Sequence, residues 1–372
     1  MRTTIILTVM ALLGSACSGS GGSTSTSGSS GSSGGSSGTS GTTSSCTASA
    51  PTVLVPDFGR SISVHAAGND LYWIDLREGF DHGSGVFSGV IKHMKTDGTG
   101  LTTLVTPSFG SLLAIGVTDT DLYYLSENAD SSHVFLYKTS RTAGGEGTQV
   151  GTGEFSGARS VEGDIYSCAS CGVFGSSGSK VFVNDSQQIS SVDTTSGATT
   201  ILATAQVLST YPALVGNTVF YKDLTSPGPF VWSVPEDGST AAVEVGSQTC
   251  GVSTRESTMG AFSGGFICGG LLTVTKLDTG AIEAATVFDG SSSGIVYEPS
   301  PADANGYYLT PTDPSHDNPI YRADPSNNAL TQAVCAARSV GETALTATDF
   351  VWVEVATDSS GNASYSLRRI AR

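Results

Sequence analysis

The chain has 372 residues with 33 acidic and 17 basic side chains, a formal net charge of -16, 47 glycines, and only 13% charged residues. With no long helical pattern, this composition excludes a helical or fibrous chain and leaves a turn-rich, extended, all-β one. The charge and the lack of any Lys/Arg cluster exclude nucleic acid as a partner, because phosphate backbones would repel the surface. Acidity of this kind commonly serves solubility, and alone it names no cationic ligand.

Residues 1–16 run from Arg2 through an apolar stretch, Ile5 to Leu13, to Gly14-Ser15-Ala16 before Cys17. This is the charged, apolar, small-residue order of a secretory signal, and it is too short to span a bilayer. A cysteine directly after small residues resembles a bacterial lipobox, which implies that Cys17 receives a diacylglycerol and becomes the mature N-terminus. Gly14 stands where that pattern usually has an aliphatic residue, and ordinary cleavage after Ala16 is the alternative. Ser18 to Ser45 is almost pure Gly, Ser and Thr, a composition that cannot bury a core and suits a tether of roughly 30 Å root-mean-square reach. Ser18 after the cysteine is similar to lipoproteins sorted to the outer membrane. The expected organisation is a signal peptide over 1–16, a lipidated cysteine and tether over 17–50, and one domain over 51–372.

From residue 52 one pattern recurs: a small or acidic turn, an apolar-aromatic strand, a loop, a strand with alternating basic residues, a Gly turn and a further strand. The apolar-aromatic strand reads Leu71-Tyr72-Trp73-Ile74-Asp75, then Leu122-Tyr123-Tyr124-Leu125, Val219-Phe220-Tyr221, Tyr307-Tyr308-Leu309 and Phe350-Val351-Trp352-Val353. The next strand reads Ile91 to Lys95, Leu136 to Lys138, Val231 to Val234, Leu272 to Lys276, Ile320 to Arg322 and Leu367 to Ile370, where alternation places one face on a core and one in water. Asp97-Gly98, Ser196-Gly197, Asp237-Gly238 and Thr279-Gly280 follow such strands and suit two-residue hairpins, which need positive φ.

The spacings are near multiples of ~45 residues, the period of propeller blades. Units fall near 62–106, 112–151, 158–204, 211–246, 253–288 and 300–334, with a last one from 341–370 that lacks an outer strand. Thr52-Val53-Leu54-Val55 matches the outer-strand ends Thr103-Leu104-Val105 and Thr200-Ile201-Leu202 and would complete that unit, closing the ring and removing open edges. In the third unit both Ile165-Tyr166 and Val181-Phe182-Val183 could be the second strand. With Leu71-Tyr72-Trp73-Ile74-Asp75 as its nearest approach to a YWTD motif, the chain resembles extracellular YWTD and TolB-like propellers, which are often six-bladed. The expectation is a single all-β propeller of four-stranded antiparallel blades, seven by count and six as the alternative. A tandem of β-sandwiches competes, and continuous periodicity argues against it.

Without Cys17, six cysteines remain in an exported chain, so disulfides are the first reading, although spacing leaves the connectivity open. The expected pairs are Cys250 with Cys268, Cys46 with Cys335, and Cys168 with Cys171. Cys168-x-x-Cys171 as a redox or zinc half-site is the weaker reading, because no second pair or thioredoxin-like context accompanies it.

Catalytic signatures are scarce. The G-x-S-x-G match at Gly31 to Gly35 lies in the tether, where no strand-to-helix elbow forms. Of five histidines, His82, His133 and His316 fall between second and third strands of their units, beside Asp75, Glu78 and Asp81, beside Glu127 and Asp130, and beside Asp313 and Asp317. These loops emerge on one face, and those of units one, two, six and seven are expected to be long and to form one wall. Polar residues also collect in solvated loops for no functional reason, and a binding arc is the sharper reading. Trp73, Tyr123, Tyr308 and Trp352 precede these loops but suit packing, as His65 and His93 suit plain strand positions. No cofactor is expected; the acids could hold Ca²⁺, but no spacing demands it.

The preferred expectation is a monomeric, non-catalytic binding module held to the membrane by its lipid, with a protein, peptide or glycan ligand. A hydrolase or lyase using a His/acid pair is the alternative, and a docking role in the envelope is a third.

Overall fold

The computed structural model describes residues 48–59, 61–79, 88–108, 110–128, 133–155, 171–185, 187–204, 212–223, 230–247, 259–262, 265–269, 273–278, 284–289, 297–300, 303, 306–312, 316–324 and 326–372. Every element among them is a strand. Blade 1 contains β2 (Ser61–Ala67), β3 (Asp70–Asp75), β4 (Val90–Lys95) and β5 (Thr102–Val105), and β1 (Thr52–Val55) precedes it. Blade 2 holds β6 (Leu112–Val117), β7 (Asp121–Glu127), β8 (Val134–Ser140) and β9 (Thr148–Glu154). Blade 3 holds β10 (Gly172–Ser177), β11 (Lys180–Asn184), β12 (Gln188–Asp193) and β13 (Thr199–Thr204). Blade 4 holds β14 (Ala213–Val215), β15 (Thr218–Asp223), β16 (Phe230–Pro235) and β17 (Val243–Ser247). Blade 5 holds β18 (Met259–Phe262), β19 (Gly265–Gly269), β20 (Thr273–Asp278) and β21 (Ala284–Asp289). Blade 6 holds β22 (Tyr297–Pro299), β23 (Tyr307–Pro311), β24 (Asn318–Ala323) and β25 (Leu330–Ala337), and blade 7 holds β26 (Ser339–Leu345), β27 (Asp349–Thr357) and β28 (Ala363–Ala371).

These strands form seven four-stranded antiparallel sheets, six of them simple meanders. The seventh runs β1-β28-β27-β26, with Thr52 opposite Arg369 and Val53 opposite Arg368. Neighbouring blades meet in cyclic order through their first and second strands: β2 packs on β6, β6 on β10, β10 on β14, β14 on β18, β19 on β22, β23 on β26, and β26 on β2. The all-β propeller closed by its N-terminal strand is therefore the fold, and Val181–Val183 is the second strand of blade 3; Ile165-Tyr166 lies outside the described residues.

The apolar-aromatic strands are the second strands, and their run of large side chains has a direct cause. Leu71 and Trp73 pack toward blade 7, while Tyr72 and Ile74 pack toward blade 2. Leu122 and Tyr124 face blade 1, and Tyr123 and Leu125 face blade 3. A strand with both faces covered shows no polar alternation, and each fully buried side chain of this size contributes about 1.5–3 kcal/mol. The expected one-face-in-water alternation of the third strands fails for the same reason in blade 3, where Ile189, Ser190, Ser191 and Val192 are all buried.

The turns also differ from expectation. Gly98, Gly197 and Gly238 do take positive φ, but β4 ends at Lys95 and β5 begins at Thr102, so the loop is longer than two residues. Its geometry comes from Asp97, whose Oδ1 accepts hydrogen bonds from the Thr99 N–H (2.8 Å) and hydroxyl (2.6 Å), an Asx turn. Thr279-Gly280 lies outside the described residues. The two-residue hairpin joins first and second strands instead: Gly68, at φ 61, occupies the first central position between Ala67 and Asp70, the glycine position of a type II′ turn.

Candidate functional site

The second strands deliver buried polar groups to one rim of the ring. Asp75, Ser126, Asn184, Asp185, Lys222, Thr310 and Glu354 are each 6% exposed or less, and each lies near the C-terminal end of its second strand. Only Asp75 stands among the residues expected from the sequence. Aligning the second strands on their apolar runs would have found the others, since each follows directly on a run of three or four apolar residues or one position later.

In blade 1 the Asp75 carboxylate accepts two bonds from Arg77, at Nε (3.0 Å) and Nη2 (2.8 Å), and a third from the Arg77 N–H. Burial raises the Asp75 pKa, but these bonds outweigh it and hold the carboxyl below its usual range. Arg77 also reaches Asp57 at 3.4 Å. Glu78 Oε2 lies 2.7 Å from Lys92 Nζ, which donates onward to Thr103 Oγ1 at 2.9 Å. Asp81 and His82 lie outside the described residues.

In blade 2, Glu127 ends β7 and its N–H donates to Ser111 O at 3.1 Å. His133 Nδ1 lies 3.0 Å from Glu154 Oε1 at the end of β9, with both side chains close to half exposed. Two bonds join His133 to Asn128: the His133 N–H donates to Asn128 Oδ1 (3.0 Å) and the Asn128 N–H donates to His133 O (2.9 Å). Asp130 lies outside the described residues. In blade 6, the His316 carbonyl accepts from Asn318 Nδ2 at 3.2 Å, and Asp317 Oδ1 lies 3.2 Å from Arg338 Nε; Asp313 lies outside the described residues. In blade 7, Glu354 Oε1 meets Arg368 Nη2 at 2.9 Å.

The structure thus pairs Asp75 with Arg77, Glu78 with Lys92, His133 with Glu154 and Asp317 with Arg338. The described residues include no group of three or more His, Cys, Asp or Glu placed to hold a metal ion. The expected wall of long loops is also redrawn. The blade 1 connection spans 76–89, whereas those of blades 2, 4 and 6 span 128–133, 224–229 and 312–317. In blade 7 the extra length extends β27 and β28 to nine residues each, because paired strand satisfies backbone groups that a loop would leave to water.

Trp73, Tyr123, Tyr308 and Trp352 are buried at 3% exposure or less. Tyr308 stacks on Phe350 at 4.0 Å and Phe350 on Trp352 at 5.5 Å, a ladder between blades 6 and 7. His93 Nε2 lies 3.0 Å from Asp70 Oδ1. Cys171 and Cys335 are each disulfide-bonded; Cys17, Cys46, Cys168 and Cys250 lie outside the described residues.

No protein-family model matches the chain, and no curated protein matches it. Solved structures do. The chain is similar to a puromycin hydrolase (TM-score 0.54, 11% identity), covering 86% of this chain and 54% of that one. It is also similar to a puromycin-hydrolyzing peptidase of Mycobacterium tuberculosis (0.53, 14%, covering 82% and 52%) and to a prolyl endopeptidase (0.54, 10%, covering 84% and 47%). The chain spans about half the length of these proteins, and the likeness is one of fold.

Proposed function

We propose that this chain is a membrane-tethered, extracytoplasmic propeller that works as a non-catalytic binding or docking module. The observation that carries this reading is the local pairing of three rim carboxylates: Asp75 with Arg77, Glu78 with Lys92 and Glu354 with Arg368, each within its own blade. Groups neutralised by their neighbours form a rigid polar rim for contact rather than one converging reaction centre. Lipidation of Cys17, anchoring in the outer membrane, and the pairs Cys46–Cys335, Cys168–Cys171 and Cys250–Cys268 complete the proposal; a C17S variant released from the membrane fraction is the expected outcome for the anchor.

A second reading, a hydrolase, is favoured by the His133–Glu154 contact, in which a carboxylate on Nδ1 would leave Nε2 open to act as a base. The test is one purified mature chain assayed on peptide and glycan arrays for binding and on a panel of ester, peptide and glycoside substrates for turnover. Retained binding in single rim variants, with loss only in combined ones, supports the module. Turnover abolished by H133A would replace it with the enzyme.

A further inference from the structure

Neighbouring blades meet at the inner wall in two different ways. Blades 2 and 3 meet by close approach at a glycine, as do blades 3 and 4: Gly116 against Val173 and Gly175 against Leu214. Blade 1 is instead stitched on both sides by polar bonds. The Glu342 carboxylate on β26 accepts the Ser63 N–H at 2.6 Å through Oε1 and the Val64 N–H through Oε2. On the other side, the Ile115 N–H on β6 donates to Ser63 Oγ at 3.0 Å.

Ser63 makes this possible through an uncommon backbone. In a regular strand successive N–H groups point to opposite sides, so two in a row cannot meet one carboxylate. Ser63 sits in a bulge between Ile62 and His65 and takes φ 60, left-handed for a residue that is not glycine. That reversal aims the Ser63 and Val64 N–H groups together and forms an anion-binding nest. Glu342 occupies a bulge of its own, between Val340 and Thr343, which frees it from strand pairing to reach across the seam. Ser63 is 9% exposed, and Glu342 is partly buried.

We propose that the Ser63–Val64 nest is a carboxylate-binding site in the inner wall, that the protein fills it with its own Glu342, and that this internal ligand latches the last blade to the first. The closure of the ring then has two independent parts, the outer pairing of β1 with β28 and this inner latch. Because Ser63 Oγ carries the contact to blade 2, emptying the nest also loosens the second seam.

Amide hydrogen exchange resolved by residue tests this on the full mature chain. In E342A the Ser63 and Val64 amides are expected to exchange at least about tenfold faster than in wild type, with a smaller rise at Ile115. Added formate or acetate should restore their protection, while chloride at equal ionic strength should not. E342Q, which keeps one carbonyl acceptor, should protect one of the two amides and serves where E342A does not fold. Unchanged exchange at Ser63 and Val64 in either variant overturns the latch, and acceleration that no carboxylate reverses overturns the nest.

Discussion

A Cβ built on Gly116 would lie 2.3 Å from Val173 Cβ and 2.6 Å from Val173 O. No real Cβ tolerates that separation, so the first strands of blades 2 and 3 are as close as they are because residue 116 has no side chain. Gly116→Ala must push β6 and β10 apart and is expected to cost about 1–3 kcal/mol, read as a lowered urea midpoint. Val173→Gly removes the opposing Cβ and should recover part of that loss in the double variant. A Gly116→Ala protein as stable as wild type would mean the seam opens freely.

Asp75 and Arg77 yield a prediction that separates structure from binding. The Asp75 side chain is 3% exposed and that of Arg77 is 40% exposed. Arg77→Ala strands a buried carboxylate, and the exposure of the arginine lowers the expected loss to about 2 kcal/mol. Adding Asp75→Asn removes the charge and should restore most of it in a double-mutant cycle. Full stability in Arg77→Ala together with lost ligand binding would assign the pair to the contact surface instead.

Much of the ring was legible because one physical demand repeats. A second strand lies between two blades, so Leu71 to Ile74 and Phe350 to Val353 read as unbroken apolar runs, and the orphaned outer strand could be found by matching Thr52-Val53-Leu54-Val55 to other outer strands. The first strands were harder. β14 and β22 have three residues each, and β2, β6, β10 and β26 carry bulges, which breaks any period. The site was legible in residue type but not in pairing. Nothing local in the sequence says that His133 meets Glu154, because that contact depends on the irregular register between β8 and β9.

His65 faces Tyr72 across β2 and β3, and burial pushes its pKa down to about 4. The native protein therefore holds it neutral where the unfolded chain, with an ordinary value of about 6.5, takes up a proton. Stability should fall as pH drops from above 6.5 to about 4 and then level off for this group. Its partial exposure reduces the effect to about 1–2 kcal/mol. His65→Gln should flatten the curve in that window, and an unchanged slope would show that His65 titrates as it does in water.

A second acid limb is expected below that window, from the turns that follow third strands. Asp193 accepts from the Ser179 hydroxyl (2.6 Å), from the Ser196 N–H (2.7 Å) and hydroxyl (3.0 Å), and from the Thr195 N–H (3.0 Å), which holds its carboxyl far below the usual range. Asp97, bonded to the Thr99 hydroxyl and N–H, and Asp237, bonded to the Ser239 N–H, are lowered in the same way. A depressed native pKa contributes stability that is complete above the unfolded value of about 3.9 and is lost as pH falls through the native one. Melting temperature should therefore decline again below about pH 4, after the His65 limb is complete. Asp193→Asn cannot titrate, so its acid decline should be shallower than that of wild type, while the His65 limb stays in place. A parallel decline in the two proteins would mean that water satisfies these turn carboxylates as well as the protein does, and that the acid transition begins elsewhere in the ring.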